Sequence, residues 1–219
     1  MIFRPFTYDQ SIWEDNTIRN AYRLPEALPE GAIVIDIGCH IGSFSYEAAK
    51  RGAKKVFSFE ASSENYKIAK ENLKEYIDSG VIELFNLAVW DKDNEIINLH
   101  SSNEVINTGG YSVFDNWQKG NLDSSKVETI SLDTILAKLI HLEPVEVLKF
   151  DCEGSEYKIF DGSAFFDTHI KRMIGETHDG SFGDTENLFH FLIKKGFGII
   201  DFNHNVEAKL GFIEAIKTL

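Results

Sequence analysis

Short apolar runs alternate along this chain with segments of helical spacing, and several of the runs end in an acid. Residues 34–37 are a buried strand that carries Asp36 and turns on Gly38 and Gly42, as a strand does when its backbone approaches a bound ligand. Residues 43–51 follow with helical spacing through Phe44, Ala48 and Ala49. Residues 55–60 then form a second strand ending in Glu60. The stripe of Tyr66, Ala69, Leu73 and Ile77 predicts a helix over 63–76, and residues 81–89 read as one continuous third strand. This rhythm of strand and helix predicts βαβ units and a parallel sheet covered on both faces. Such sheets bind ligands at the carboxyl ends of their strands, where Asp36, Glu60 and Ala88 fall.

The second half continues less regularly. Residues 91–125 are polar and rich in Ser, Asn and Gly, with a strand candidate at 95–100. A loop this long in a compact domain is usually functional, so residues 101–125, with Gly109-Gly110-Tyr111-Ser112 looking mobile, are read as a substrate-side lid. Residues 129–132 are a short edge segment and 133–140 a helix. A fourth strand over 145–151 ends in Asp151, and a fifth over 172–177 leads to Glu176 and His178. After an amphipathic helix at 187–195, residues 197–202 and 211–217 predict an antiparallel hairpin. The aromatic-rich residues 1–30 are expected to pack as a cap, with one domain over 31–219.

Composition narrows the partners. The formal charge of −13 over 219 residues argues against nucleic acid or an anionic membrane surface, both of which favour basic faces. No run reaches membrane-spanning length and no leader opens the chain, so a cytoplasmic location is expected. Two cysteines, Cys39 and Cys152, cannot build a disulfide framework or a zinc site of their own. Each directly follows a strand-end residue, so both thiols are expected to border the ligand pocket.

The spacing Asp36-x-Gly38-x-x-x-Gly42 is neither the dinucleotide fingerprint nor a P-loop. A glycine loop that need not cradle phosphate, with Glu60 at the end of the next strand to accept from two ribose hydroxyls, suits a ligand with a ribose and an amino-acid tail. The run through Gly42 together with Phe59-Glu60 resembles the first two motifs of class I S-adenosylmethionine-dependent methyltransferases. Ser131-Leu132-Asp133 and the run from Leu148 to Glu156 resemble the FkbM-type family, whose Lys-x-Asp-x-Glu-Gly-x-Glu signature is matched at Lys149, Asp151, Glu153, Gly154 and Glu156. The likeness spans roughly residues 30 to 200. One departure is His40, where the family commonly has asparagine.

The resemblance implies a Rossmann-like α/β fold, a mostly parallel seven-stranded sheet with an antiparallel last strand. It also implies S-adenosyl-L-methionine as cofactor, contacted by Asp36, Gly38, His40, Gly42, Glu60, Ala61, Ala88 and Asp151. O-methylation of a small hydroxylated or sugar-like acceptor is the family's usual reaction. N-methylation, or cofactor binding without turnover, are the alternatives. A hydroxyl acceptor benefits from a base, and the candidates are His178, Asp151 and Glu153. Of these, His178 has the ordinary pKa best suited to the task, while Glu156 is expected in the first turn of the next helix as a structural acid. Asp151 and Glu153 with His178 or Glu176 could instead bind a divalent metal through oxygen and imidazole, but no tight ligand spacing supports one and none is expected.

Overall fold

The computed structural model describes residues 1–101, 106–113 and 124–218. In chain order it builds α1 (Asp9–Thr17), β1 (Ile33–Ile37), α2 (Ser43–Lys50), β2 (Lys55–Phe59), α3 (Ser63–Asn72), α4 (Lys74–Asp78) and β3 (Ile82–Phe85). Next come β4 (Ala88–Trp90), β5 (Ile96–His100), β6 (Ser124–Ser131), the single turn α5 (Leu132–Thr134), β7 (Val147–Phe150), α6 (Glu156–Asp161) and α7 (Phe166–His169). The chain finishes with β8 (Arg172–His178), α8 (Thr185–Lys194), β9 (Phe197–Asn205) and β10 (Leu210–Lys217). The main sheet has the order β3-β2-β1-β7-β8-β10-β9. β10 runs antiparallel to both β8 and β9, so the expected seven strands, hairpin and reversed last strand are all present.

β1 lies at the centre and is buried throughout. Alternation splits its side chains between two cores. Ile33, Ile35 and Ile37 join the residues of α6, α7 and α8 on one face, while Val34 joins Phe44, Ala48 and Ala69 of α2 and α3 on the other. The N-terminal segment packs on that second face: Trp13 sits between Phe3 and Tyr46, and Tyr22, Leu24 and Leu28 belong to its core.

Three expected elements are redrawn. The strand read over 81–89 breaks at Asn86, whose side-chain amide donates to the carbonyls of Glu60 (2.8 Å) and Ala61 (3.1 Å). That bond turns the chain off the main sheet, so Ala88 opens β4 in a separate sheet of order β4-β6-β5. The helix read over 63–76 is broken at Leu73, and the one over 133–140 becomes α5 followed by a π turn at Ile135–Leu139.

Candidate active site

A cavity of about 290 Å³ opens over the carboxyl ends of β1, β2 and β7. Beneath it runs a buried polar row set by strand register. Asp36 pairs with Ser58 on one side and Lys149 on the other, placing three polar side chains on one sheet face. Ser45 of α2 donates to Asp36 Oδ2 at 2.6 Å and is bonded to Ser58. Lys149 Nζ lies 3.2 Å from Asp36 Oδ1 and donates to the Gly38 carbonyl at 2.6 Å. Burial disfavours the ammonium, but the Asp36 and Asp151 charges override it and raise the lysine's pKa. Lys149 thus staples the end of β1 to β7.

The glycine loop is held just as firmly. Gly38 has φ +75°, and a Cβ there would sit 1.8 Å from the Asp151 carbonyl oxygen; the neighbouring backbone, rather than a ligand, excludes a side chain. Gly42, at φ +94°, faces Leu73 in the same way, 2.7 Å from its Cδ1. The amides of Gly38 and Cys39 donate to the Phe59 carbonyl, that of Gly42 to the Cys39 carbonyl, and that of His40 to Glu60 Oε2 at 2.7 Å. None of these four is left for a pyrophosphate.

Glu60 forms one wall. Its other oxygen accepts from the Ser62 amide at 2.8 Å. Burial raises its pKa to about 7 even though these amide bonds favour the carboxylate. His40, at φ +53°, has its ring bonded to Thr108 Oγ1 at 2.9 Å, and burial lowers its pKa to about 4. Thr108 donates to the fully buried Asp9, which also holds the Arg4 guanidinium at 2.9 Å, and Asn65 donates to the Thr108 carbonyl. These bonds fasten residues 106–113 across the cavity, where Asn107, Gly109, Tyr111 and Val113 line it. Residues 102–105 and 114–123 of the lid expected over 101–125 lie outside the described residues.

The opposite wall is crowded with acids. Asp151 accepts from the Tyr22 hydroxyl at 3.0 Å. Glu153 occupies a left-handed turn at φ +54°, followed by Gly154 at φ +98°, and its carbonyl accepts from Ser112. Burial, then the charges of Asp151, Glu156 and Glu176, raise the Glu153 pKa. Glu176 is raised first by Asp151 and then by burial. His178 stands behind them, with Nδ1 3.0 Å from Glu156 Oε1 and Nε2 3.7 Å from Glu153 Oε2. Burial disfavours its charge, but these acids outweigh burial and raise its pKa to about 10.

Of the residues singled out by sequence, Gly38, His40, Glu60, Ala61, Ala88, Asp151 and Glu153 line the cavity, whereas Asp36, Gly42 and His178 do not. Tyr22 and Leu99 line it without having been singled out for it, and Tyr111 of the expected lid and the strand-end acid Glu176 line it too. Glu176 carried a signal, a polar residue at a strand end; Tyr22 carried none, because its partner lies 129 positions away. The cysteines separate. Cys152 lines the cavity, but Cys39 is buried in the α2-side core and does not, since it points to the opposite face of the sheet.

Residues 36–198 match the methyltransferase FkbM domain, well over half of the chain. No curated protein matches it in sequence. The FkbM methyltransferase of Methylobacillus flagellatus KT superposes with a TM-score of 0.56 at 13% identity, over 93% of this chain and 47% of its own, so this chain spans just under half of that protein. An rRNA methylase from Streptococcus thermophilus superposes at 0.51 with 13% identity, covering 100% of this chain and 99% of that one. A Streptococcus pneumoniae candidate tRNA (m1A22) methyltransferase, solved with S-adenosyl-L-methionine, gives 0.50 at 14% identity over 87% and 68%. At these identities the structural likenesses speak for the fold, a class I methyltransferase fold, and the matched domain speaks for the family. The chain belongs to the FkbM methyltransferase family.

Proposed function

We propose that this protein transfers a methyl group from S-adenosylmethionine to a hydroxyl of a small, sugar-like acceptor. The observation that supports it is one cavity with Glu60 beside a glycine loop whose amides are spent internally on one wall, and Asp151, Glu153 and Glu176 on the other. The residues fit the cofactor. A carboxylate has about four lone-pair sites, so Glu60 can keep its two amide bonds and accept from ribose hydroxyls. Ala61, Ala88, Leu99 and Val113 offer an apolar wall for an adenine. Carboxylates near a sulfonium hold it, although attraction to the ground state alone does not accelerate the reaction.

When bound, the cofactor supplies an electrophilic methyl group. The chain's task is then to aim the acceptor oxygen along the line of the departing sulfur and to remove its proton. Glu153 is the base we assign, because it lines the cavity and its raised pKa brings it close to the operating pH; Asp151 orients the acceptor with it. His178, outside the cavity wall, is a positioning residue for Glu153. The described part of the loop over 101–125 closes the cavity as a substrate lid. The acidic wall and the charge of −13 favour a small acceptor over a nucleic acid.

The test is incubation with deuteromethyl-labelled cofactor and pooled hydroxylated metabolites, read by mass spectrometry. Label on an acceptor oxygen is expected. Label on nitrogen would establish the N-methyltransferase alternative, and S-adenosylhomocysteine binding with no transfer would leave a cofactor-binding protein.

A further inference from the structure

Asp151, Glu153 and His178 each offer a ligand atom, and these atoms all lie within 4.8 Å of one another. Acids that converge on a pocket are common, and by themselves would carry nothing. The setting of the histidine is what distinguishes this group. Glu156 is fully buried and takes Nδ1 of the ring at 3.0 Å, while Nε2 lies on the Glu153 side at 3.7 Å from Oε2. Glu156 is itself held at the start of α6, accepting from the Cys152 amide at 3.3 Å, and its buried Oε2 has no hydrogen-bond partner among the described residues. Metal-bound histidines use the same arrangement, in which an outer carboxylate takes one ring nitrogen, fixes the tautomer and aims the other nitrogen at the ion.

We infer that Asp151, Glu153 and His178 form a binding site for one divalent transition-metal ion, with Glu156 orienting the histidine. Two carboxylate oxygens and one imidazole suit manganese, cobalt or zinc better than magnesium or calcium, which favour all-oxygen shells. The backbone presets the group: Glu153 is in the left-handed turn Glu153-Gly154, two residues beyond Asp151 on the same strand exit, and His178 ends the neighbouring strand β8. Two negative ligands around a dication also offset the like charges that crowd this wall. Asp151 and Glu153 line the cavity, so the ion's remaining positions would face it. With the ion bound, Glu153 would be a ligand rather than the base, and if the methyl-transfer reading above holds, the ion would polarise an acceptor oxygen bound there and ease loss of its proton; the metal site itself does not depend on that reading.

Manganese(II) titrated into the full chain, followed by electron paramagnetic resonance of the free ion, tests the site. Expected is one ion per chain, with electron spin-echo modulation from an imidazole nitrogen. Glu153→Gln and His178→Gln should each weaken binding at least tenfold. Glu156→Gln should weaken it by about 10- to 100-fold while leaving the stoichiometry at one. Calorimetry with S-adenosylhomocysteine, run in parallel, reports on the cofactor reading alone. Wild-type protein that takes up neither manganese nor zinc at millimolar concentration overturns the site. So does bound manganese without nitrogen modulation, or binding that is undiminished in both ligand variants.

Discussion

On the β2 side of the cavity one buried carboxylate, Glu60, meets two backbone amides, whereas on the β7 side, among the described residues, Asp151, Glu153, Glu156 and Glu176 share one histidine, one tyrosine hydroxyl and the Cys152 amide. The first wall has its polar groups matched locally and linked through His40 and Thr108 to the N-terminal segment. The second carries more negative charge than its partners offset. Matched groups suit recognition, because they hold one geometry. Burial shifts pKa values on both walls, but only the crowded one adds the repulsion of like charges, which suits proton transfer or the binding of a cation.

The largest expected effect comes from the point where the two walls join. Gly38→Val puts a side chain into the Asp151 carbonyl and demands a positive φ from a β-branched residue, so a stability loss above about 3 kcal/mol is expected in chemical denaturation. A variant as stable as wild type would show that the walls are not joined there.

Next, the walls should separate in kinetics. Glu153→Gln should lower turnover by about 10² or more while S-adenosylhomocysteine affinity, measured by calorimetry, stays near that of wild type. If affinity falls with turnover, the division between recognition and chemistry fails.

A smaller effect is expected in stability against pH. The folded protein holds the Glu60 carboxyl at about pH 7 against about 4.5 for the ordinary side chain. The folded state therefore binds more protons across that interval, and the contribution present below about pH 4.5 is lost as pH rises through 7. Glu153 and Glu176 act in the same direction, as does His178 above its ordinary 6.5, while His40, lowered to about 4, opposes them up to about 6.5. The ligand-free melting temperature should accordingly fall between pH 5 and 8, and Glu60→Gln should make that fall shallower. Asp9 and Asp179 do not enter this window: burial opposes their charge but bonds from Arg4 and from His204 and Thr185 hold both below the usual carboxylate range. A melting temperature that rises with pH would contradict the assignment.

The smallest effect concerns the thiols. Burial, followed by the charges of Glu156 and Asp151, pushes the Cys152 thiol well up, so its alkylation should be slow and slowed further, by a few-fold, when S-adenosylhomocysteine is present. Cys39, in the α2-side core, should stay unlabelled with or without ligand. Peptide masses at each cysteine distinguish the two, and equal labelling would mean that the sheet faces are wrongly assigned.

Local pattern was enough for much of this. The buried run of β1, the turn at Gly38, the strand-end positions of Glu60 and Asp151, and the closing hairpin were legible because each follows from spacing within a few residues. The Lys149 to Glu156 run was legible as a signature, although its internal division of labour was not. Asp36 illustrates the limit: an acid near a strand end near a glycine loop reads as a ligand contact, yet side-chain parity sends it below the cavity to Ser45 and Lys149.

The sequence by itself determined the strand-helix rhythm, the glycine turn and the family, because apolar period, backbone freedom and motif spacing are properties of neighbouring residues. Tertiary structure alone decided that Asn86 diverts β4 from the main sheet and that Cys39 and Cys152 lie on opposite faces. It alone brought Tyr22 to Asp151 and gathered Asp151, Glu153, Glu156 and His178 around one point. Those outcomes depend on strand order and register, which place residues far apart in the chain within hydrogen-bonding distance, and no local spacing encodes them.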